Sequence, residues 1–323
     1  MTVPDPNHLP LQLRVAAIHS AADGLFSFEL EAADGAELPA FTPGAHLRLR
    51  LPSGALRKYS LCNDPAQRRR YAITVQREAN GQGGSLSLCD STRVGDSLAG
   101  SWPENAFALP PLAKGLLFIA GGIGIAPIMS MIRSFGELAP APWKLVYLTR
   151  SAAVTAFRAE LSTPAYRTRV KIHHDQGDAA KAFDLWPLLE RPNTGHLYCC
   201  GPKSLMDAVR DMTGHWASAS IHFESFGAGD AALFEPNRPF TIRLARSSLT
   251  FEVAADQTAL EAMRAHGCRV LSSCEAGSCG SCRTTYVAGD VEHRDLVLGE
   301  GEKADQIMVC VSRARGGVLE LDL

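Results

Sequence analysis

Four cysteines near the C-terminus constrain this chain more than any other feature. Three of them follow the spacing C-x4-C-x2-C in SSCEAGSCGSC and the fourth stands alone in MVCVS; they are Cys274, Cys279, Cys282 and Cys310. This is the plant-type ligand spacing of a [2Fe–2S] cluster, in which one tightly wound loop supplies three thiolates. Small residues suit such a loop, because they let backbone N–H groups approach the inorganic sulfides, and Ala276, Gly277, Ser278 and Gly280 provide them. The spacing therefore predicts an iron–sulfur centre.

Zinc and four unrelated thiols are the alternatives to this cluster. A structural zinc site usually takes two C-x2-4-C pairs, whereas Cys310 has no partner nearby in the sequence. The remaining cysteines show no ligand spacing, and for Cys62, Cys89 and Cys268 we expect the role of a small buried hydrophobe. Cys268 is excluded from the ligand set although it lies close to Cys274.

The overall composition is that of an ordinary globular protein. A formal net charge of −2 over 323 residues gives no basic face for a nucleic acid. No apolar run approaches the roughly 20 residues of a membrane-spanning helix, and MTVPDPNHLPLQL lacks the basic start and apolar core of a secretory signal. We therefore expect a cytoplasmic protein without membrane contact, in which the nine cysteines favour metal or redox chemistry over disulfides.

Changes in hydrophobic pattern and composition along the sequence divide the chain into domains. Residues 1–108 carry short alternating segments such as HLRLRL and YAITVQ, which predict an antiparallel β-barrel. Residues 109–229 alternate apolar strands such as GLLFIA with helix-like segments, which predicts an α/β domain with a parallel, doubly wound sheet. Residues 230–240 are predicted to be a linker, since the segment FEPNRPF at 234–240 is polar and contains proline, as interdomain linkers do. Residues 241–323 mix two strands, a helical segment and the four cysteines, and form the third domain.

A glycine turn follows the buried strand of the second domain. The segment LLFIAGGIGIAPIMSM runs from that strand into a helix through Gly121, Gly122 and Gly124, and Pro127 suits the first helical position. A pyrophosphate can lie against the backbone N–H groups of such a turn. A second strand ends in Cys200, Gly201 and Pro202, so that both turns would flank one crevice of the sheet. A tight turn that binds no ligand is the alternative.

The stretch RKYS in the first domain combines a cation with an aromatic ring. Arg57 and Tyr59 would share one face of a strand, next to Lys58 and Ser60. A flavin needs both kinds of group, an arginine for its phosphate and an aromatic edge for its ring. The nearby Gly83, Gly84 and Ser85 can begin a helix whose N-terminus faces that phosphate. The alternative is an exposed edge strand and a surface loop.

These motifs occur together in one order along nearly the whole chain. They read R-x-Y-S-L-x-N, G-G-x-S, G-G-I-G-I-A-P, C-G-P-x-x-L-M, F-E-S-F and the cysteine tail. As a set they resemble the phthalate dioxygenase reductase family, the reductase components of Rieske oxygenases, which are similar to vanillate O-demethylase reductases. The resemblance implies a flavin barrel, an NAD domain and a plant-type [2Fe–2S] ferredoxin domain of the β-grasp type.

The resemblance also implies roles for single residues. It implies FMN rather than FAD, NADH as the nicotinamide, and direct participation in the electron-transfer site by Ser60, Cys200, Glu224, Ser225 and Phe226. Cys200 would lie near the nicotinamide, and the aromatic of FESF by the flavin ring. The local sequence leaves NADPH open, because Arg150 and Ser151 follow the second sheet strand where a 2′-phosphate could be read.

The cofactor set has a chemical logic. A nicotinamide gives two electrons as a hydride, an iron–sulfur cluster accepts one at a time, and a flavin can exchange between the two. We therefore expect a monomeric NADH-dependent reductase that serves a Rieske-type aromatic oxygenase through a transient complex. Three alternatives stay open: FAD in place of FMN, a haem or diiron monooxygenase as partner, and a non-catalytic iron–sulfur redox sensor.

Overall fold

The structure is a computed structural model. It describes residues 9–79, 81, 83–111, 113–136, 141–192, 195–226, 237–255, 257–272, 277, 280–295, 297–299 and 301–323. The chain divides into two compact units, with the boundary between Phe223 and Glu224. Within the described ranges, no helix combines the length and the apolar character needed to cross a membrane.

The first unit begins with a six-stranded antiparallel barrel. Its elements are β1 (Leu11–Ala22), β2 (Leu25–Ala32), β3 (His46–Arg50), β4 (Leu56–Ser60), β5 (Tyr71–Gln76), α1 (Gly84–Ser91) and β6 (Ser97–Gly100), with sheet order β4-β3-β6-β1-β2-β5. Alternation decides which side chains point inward, since Leu13 and Val15 are buried and Arg14 between them is exposed. The predicted antiparallel barrel is confirmed.

A short seam joins the two end strands of this sheet and closes the barrel. Just after β4, Leu61 forms an isolated bridge with Ile73 of β5. The next residue, Cys62, donates its backbone N–H to the Ala72 carbonyl at 2.8 Å. We call these two contacts the barrel seam. It lies directly after Ser60, so the RKYS stretch of β4 leads straight into the contacts that close the barrel.

The second part of this unit is a parallel sheet with helices. Its strands are β7 (Leu116–Gly121), β8 (Trp143–Thr149), β9 (Val170–His174), β10 (His196–Cys200) and β11 (Ile221–Glu224), in the order β11-β10-β7-β8-β9. Its helices are α2 (Ile125–Ser134), α3 (Arg158–Leu161), α4 (Trp186–Leu189) and α5 (Lys203–Met212). β7 pairs in parallel with β8 and β10, and β8 with β9. The predicted α/β domain is confirmed.

One hydrophobic cluster spans the barrel and the parallel sheet. Leu25, Cys62 and Phe107 of the barrel part belong to the same buried cluster as Phe118 of β7 and Tyr147 of β8. Two hydrogen bonds cross at the same junction, from the Asp23 backbone N–H to the Ala153 carbonyl at 2.9 Å and from the Tyr198 side-chain hydroxyl to the Ala108 carbonyl at 2.8 Å. These two parts therefore share a core.

The second unit is a mixed sheet with one helix. Its elements are β12 (Phe240–Leu244), β13 (Thr250–Val253), α6 (Ala259–Ala265), β14 (Arg283–Ala288), β15 (Val291–Glu292), β16 (Gln306–Met308), β17 (Arg313–Ala314) and β18 (Val318–Leu321). The main sheet has the order β13-β12-β18-β14-β16, with β12 and β18 parallel. A capping box of Thr258 and Glu261 starts α6. This is the predicted ferredoxin-like α+β fold; most of the predicted linker, 230–236, lies outside the described residues.

Candidate functional site

The RKYS strand and helix α1 form an anion cradle. α1 begins at Gly84, as the sequence predicted, and Gly83 before it adopts φ 77°. The first helical hydrogen bond runs from the Ser87 N–H to the Gly83 carbonyl, so the amides of the first turn are not used by the helix itself. The Arg57 side chain lies at this N-terminus, because a Cβ on Gly84 would come within 3.1 Å of its Cγ and Nε. A guanidinium beside a helix N-terminus fits a flavin phosphate.

The rest of the motif lies on β4 against the barrel core. Lys58, Tyr59 and Ser60 pair with β3, and Ser60 is buried whereas Tyr59 is half-buried. Burial, reinforced by the neighbouring Cys89 and opposed by Arg57, raises the pKa of Tyr59, so its hydroxyl stays a hydrogen-bond donor at neutral pH. The Ser85 hydroxyl oxygen accepts the Glu78 N–H at 3.0 Å and keeps its own hydrogen to donate. These groups have the chemistry to hold a flavin.

The two turns of the parallel sheet interlock through their glycines. A Cβ on Gly124 would lie 2.1 Å from the Cys200 carbonyl oxygen, and one on Gly121 would lie 2.7 Å from Cδ of Pro202. A Cβ on Gly201 would lie 2.9 Å from the Gly121 backbone. These three glycines are therefore explained by close packing of one turn on the other.

Gly122 is the glycine that packing does not explain. It adopts φ 51°, and a Cβ built there has no atom within 4 Å. The turn continues as a 3-10 helix over Gly122–Gly124 into α2, which begins at Ile125. Pro127 is thus the third residue of α2 and not the first, still within the turn where a missing N–H costs no hydrogen bond. The space over Gly122 is therefore open, and the backbone N–H groups of such a turn are able to bind a phosphate.

The end of β8 carries the residues considered for nicotinamide specificity. Arg150 is exposed and Ser151 half-buried. The hydroxyl of Thr149, the last residue of β8, lies 2.8 Å from Nδ1 of His174, at the end of β9, and 2.8 Å from the Thr155 hydroxyl. Sequence reasoning missed this network, because its members come from different strands. This hydrogen-bond network holds the backbone of the segment that carries Arg150.

The FESF motif, residues 223–226, begins inside the edge strand β11 and ends two residues after it. Glu224 and Ser225 are buried, with 7% and 8% exposure, whereas Phe226 is exposed to 37%. An aromatic residue of the core would be buried, whereas the Phe226 ring is exposed next to two buried polar residues. The ring is therefore available to pack on another ring. Cys200, at the end of β10, is fully buried.

Two of the four predicted cluster ligands lie in the described residues. Cys282 and Cys310 are buried, at 3% and 2% exposure, and are not joined in a disulfide. Cys274 and Cys279 lie outside the described residues. The loop glycines behave as such a loop requires, since Gly277 has φ 72° and Gly280 has φ 79°. A buried thiol next to the loop with left-handed glycines, together with a second buried thiol just after β16, fits a [2Fe–2S] cluster.

Of the three cysteines expected to be small buried hydrophobes, Cys62 is buried, whereas Cys89 and Cys268 are half-buried. Cys62 is buried in the shared core, with Sγ 3.3 Å from the Ala72 carbonyl. Burial raises the pKa of Cys89 to about 11 and also raises that of Cys199 and Cys268. These thiols stay protonated at neutral pH, which suits small apolar side chains.

Sequence reasoning also missed a pair of histidines at the sheet edge. Nδ1 of His196 lies 3.0 Å from Nε2 of His222, whose ring stacks on Tyr198 with centroids 4.3 Å apart. Burial and the neighbouring His196 lower the pKa of His222 to about 4. An apolar strand that contains an isolated histidine gives no signal for such a pair, because the partner comes from another strand.

Comparison with known proteins identifies the family. The chain is 53% identical over 312 residues to the phthalate 4,5-dioxygenase oxygenase reductase subunit of Pseudomonas putida, covering 96% of each chain. It is 49% identical over 324 residues to the phthalate dioxygenase reductase of Burkholderia cepacia, covering 100% of each. The chain belongs to the phthalate dioxygenase reductase family.

Two further comparisons support the modular fold of this family. A family model described as a 2Fe-2S iron-sulfur cluster binding domain matches residues 242–315. A solved phthalate dioxygenase reductase, described as a modular structure for electron transfer from pyridine nucleotides to [2Fe–2S], superimposes with a TM-score of 0.81 at 50% identity, covering 97% of this chain and 98% of that one. The predicted membership of the phthalate dioxygenase reductase family and its three-part fold are confirmed.

Proposed function

We propose that this chain is an NADH-dependent reductase that carries electrons through FMN and a [2Fe–2S] cluster to a Rieske-type oxygenase. The observation that supports it best is the anion cradle of Arg57 and helix α1 in the same unit as the interlocked glycine turns. The buried Cys282 and Cys310 add a third redox site on the same chain. When bound, FMN supplies the exchange between hydride chemistry and one-electron chemistry.

The residues that hold the cofactors follow from their chemistry. For FMN they are Arg57, Lys58, Tyr59, Ser60, Gly83, Gly84 and Ser85. For the nicotinamide dinucleotide they are Gly122, Pro127, Arg150, Ser151, Cys200 and Pro202, on turns whose close packing depends on Gly121, Gly124 and Gly201. Cys274, Cys279, Cys282 and Cys310 are the proposed cluster ligands.

The protein contributes positioning and exclusion of water rather than acid–base catalysis. Buried Ser60, Cys200, Glu224 and Ser225 present small or polar groups that do not compete for the hydride. Tyr59 holds its proton and donates a hydrogen bond. Phe226 supplies an exposed aromatic face for stacking on a planar ring.

The proposal places the protein beside an oxygenase in the cytoplasm, as a monomer. The relatives named above are reductase components of oxygenase systems, and we propose a Rieske-type centre as the acceptor. NADH is proposed over NADPH, although the exposed Arg150 is a group that could bind a 2′-phosphate. Reconstitution with a Rieske oxygenase, and separately with a haem monooxygenase, distinguishes the two kinds of acceptor.

The visible spectrum of the purified protein tests this function. We expect flavin absorption together with [2Fe–2S] bands, both bleached by NADH, and mass spectrometry of the released flavin should give FMN. Steady-state cytochrome c reduction should be faster with NADH than with NADPH at equal concentration. A protein that carries the cluster but neither binds flavin nor reduces cytochrome c would be the iron–sulfur sensor instead.

A cysteine variant separates the two redox sites. Cys310→Ser should remove the [2Fe–2S] bands and leave NADH-driven bleaching of the flavin, because Cys310 lies in the second unit, whose hydrophobic core is its own. Cys268→Ser is the matched control, since this cysteine also lies in the second unit but outside the ligand set. It should keep full iron content. Loss of iron in both variants, or in neither, would contradict the proposed ligand set.

A further inference from the structure

Arg133, in the last turn of helix α2, joins three elements of the first unit. Its Nη1 donates to the Cys62 carbonyl oxygen at 2.5 Å. Its Nε donates to one carboxylate oxygen of Glu160 in α3 at 2.9 Å, and its Nη2 donates to the other. Its guanidinium also lies over the Phe157 ring, 5.0 Å from the centroid. A planar, bidentate pairing of this kind fixes direction as well as distance.

The Cys62 carbonyl ties this ion pair to the flavin side of the unit. Cys62 makes one of the two contacts of the barrel seam, in which its N–H donates to the Ala72 carbonyl. It follows Ser60, the last residue of β4, by two positions. A shift of the Cys62 backbone therefore moves the end of the strand that carries Arg57 and Tyr59.

The other end of α2 ties the ion pair to the nicotinamide side. α2 begins directly after the glycine turn Gly122–Gly124, and its first eight residues are buried. A buried ten-residue helix moves as a rigid body, so a displacement at Arg133 is transmitted to the turn. Arg133 is thus linked by one helix to the dinucleotide turn and by one hydrogen bond to the flavin strand.

The surroundings of Arg133 hold it in place. Its side chain is 23% exposed and that of Glu160 is 33% exposed, so the pair is largely sheltered from water. Phe157 adopts φ 57°, a left-handed conformation that is rare for a bulky residue, and the guanidinium covers its ring. No local sequence pattern predicts these contacts, because Arg133 lies far along the chain from Cys62, Phe157 and Glu160.

We infer that Arg133 is a positioning residue, which fixes the distance between the nicotinamide and the flavin for hydride transfer. The inference rests on the proposed function and adds a residue outside the proposed cofactor-binding set, which meets the R-x-Y-S-L-x-N motif only at the Cys62 carbonyl. Hydride transfer requires the two reacting atoms at contact distance, and a misplacement of about 1 Å can cost on the order of 100-fold in rate. Loss of Arg133 should therefore slow the transfer without weakening the binding of either cofactor.

Stopped-flow reduction of the flavin by NADH, in the complete protein, tests the inference. For Arg133→Met we expect a limiting rate of flavin reduction about 10- to 100-fold below wild type, with an unchanged half-saturating NADH concentration and unchanged FMN and iron content. At equilibrium, the long-wavelength charge-transfer absorption of the reduced flavin with NAD⁺ should fall, because it depends on stacking of the two rings. A merely structural role would lower the unfolding temperature and leave this absorption unchanged.

Arg210→Met is the matched control. Arg210 also pairs with a carboxylate, that of Asp207 at 3.3 Å, and also lies over an aromatic ring, that of Phe223 at 5.5 Å. Asp207 lies on α5 and Phe223 on β11, and neither belongs to a strand of the barrel. The control should match wild type in limiting rate and charge-transfer absorption.

Arg133→Lys keeps the test decisive if Arg133→Met does not fold. Lysine keeps the charge but cannot form the bidentate pair and the carbonyl bond together, so an intermediate rate supports the inference. A wild-type limiting rate and charge-transfer absorption in either folded variant would overturn it. A wild-type protein whose flavin is not reduced by NADH would instead overturn the proposed function.

Discussion

Replacing Gly124 by alanine should destabilise the first unit more than any other single added methyl group in its glycine turn. The new Cβ would stand 2.1 Å from the Cys200 carbonyl oxygen and 2.4 Å from its carbon, where ordinary contact begins at 3.4 Å. Backbone atoms on both sides would have to separate by about 1.3 Å, the difference between 3.4 and 2.1 Å. The neighbours are backbone atoms at the end of β10, an inner strand of the sheet, and they cannot rotate away as a side chain can.

The magnitude follows from the cost of overpacking. Extra atoms forced into a well-packed interior typically cost about 1–3 kcal/mol, and a clash with two backbone groups belongs at the upper end. For a unit of this size, about 3 kcal/mol lowers the unfolding temperature by about 6–12 °C. Scanning calorimetry of the complete protein measures this shift as a displaced transition of the first unit.

Gly122→Ala is the matched control in the same turn. Its Cβ would meet no atom within 4 Å, so only the left-handed φ of 51° is penalised, at about 1–2 kcal/mol. It should instead weaken NADH binding, because the methyl group occupies the space proposed for the dinucleotide. Gly124→Ala unfolding within about 2 °C of wild type would refute the close packing of the two turns.

Two further predictions concern buried polar groups. Asp295→Asn should destabilise the second unit by about 2 kcal/mol, measured by thermal unfolding. The Asp295 carboxylate is fully buried, accepts hydrogen bonds from the Val297 and Leu298 N–H groups and faces the Ser312 hydroxyl. Asp290→Asn is the neutral control, because the Asp290 side chain is 74% exposed. For His222, whose folded pKa of about 4 lies below the ordinary 6.5, the unfolded chain binds more protons between these values, so stability falls as pH falls from 6.5 toward 4. Urea titrations at pH 7.5 and pH 5 measure how much the free energy of unfolding falls between these two pH values. In His222→Phe this fall should be about 1 kcal/mol smaller than in wild type, a magnitude that allows for solvent screening of a half-buried ring. An unchanged fall would contradict the prediction.

Local patterns explain what the sequence predicted well. Alternation gave the barrel strands, and an all-apolar run gave β7, because both patterns follow from burial on one or two faces of a strand. The helix start at Gly84 and the left-handed Gly277 and Gly280 followed from residue chemistry. Cysteine spacing gave the ligand candidates before any fold was considered.

Non-local contacts explain what the sequence did not predict. The tie of Arg133 to Glu160 and Cys62, and the pair of His196 and His222, join residues that only the folded chain brings together. The interlocking of the two glycine turns is also such a case. Gly121, Gly124 and Gly201 looked like phosphate-binding glycines in the sequence, and the packing of the turns explains them without a ligand.

The hydrophobic cluster shared by the barrel and the parallel sheet limits the positions at which two related chains can be joined into a folded chimera. A chimera joined between β6 and β7 would set Leu25, Cys62 and Phe107 of one parent against a foreign β7 and β8, and mismatched volumes there would cost stability. The ferredoxin-like unit has a buried cluster drawn from its own strands and α6. A crossover between β11 and β12 therefore leaves both cores whole, and gene shuffling should recover folded hybrids at that position far more often than at the first.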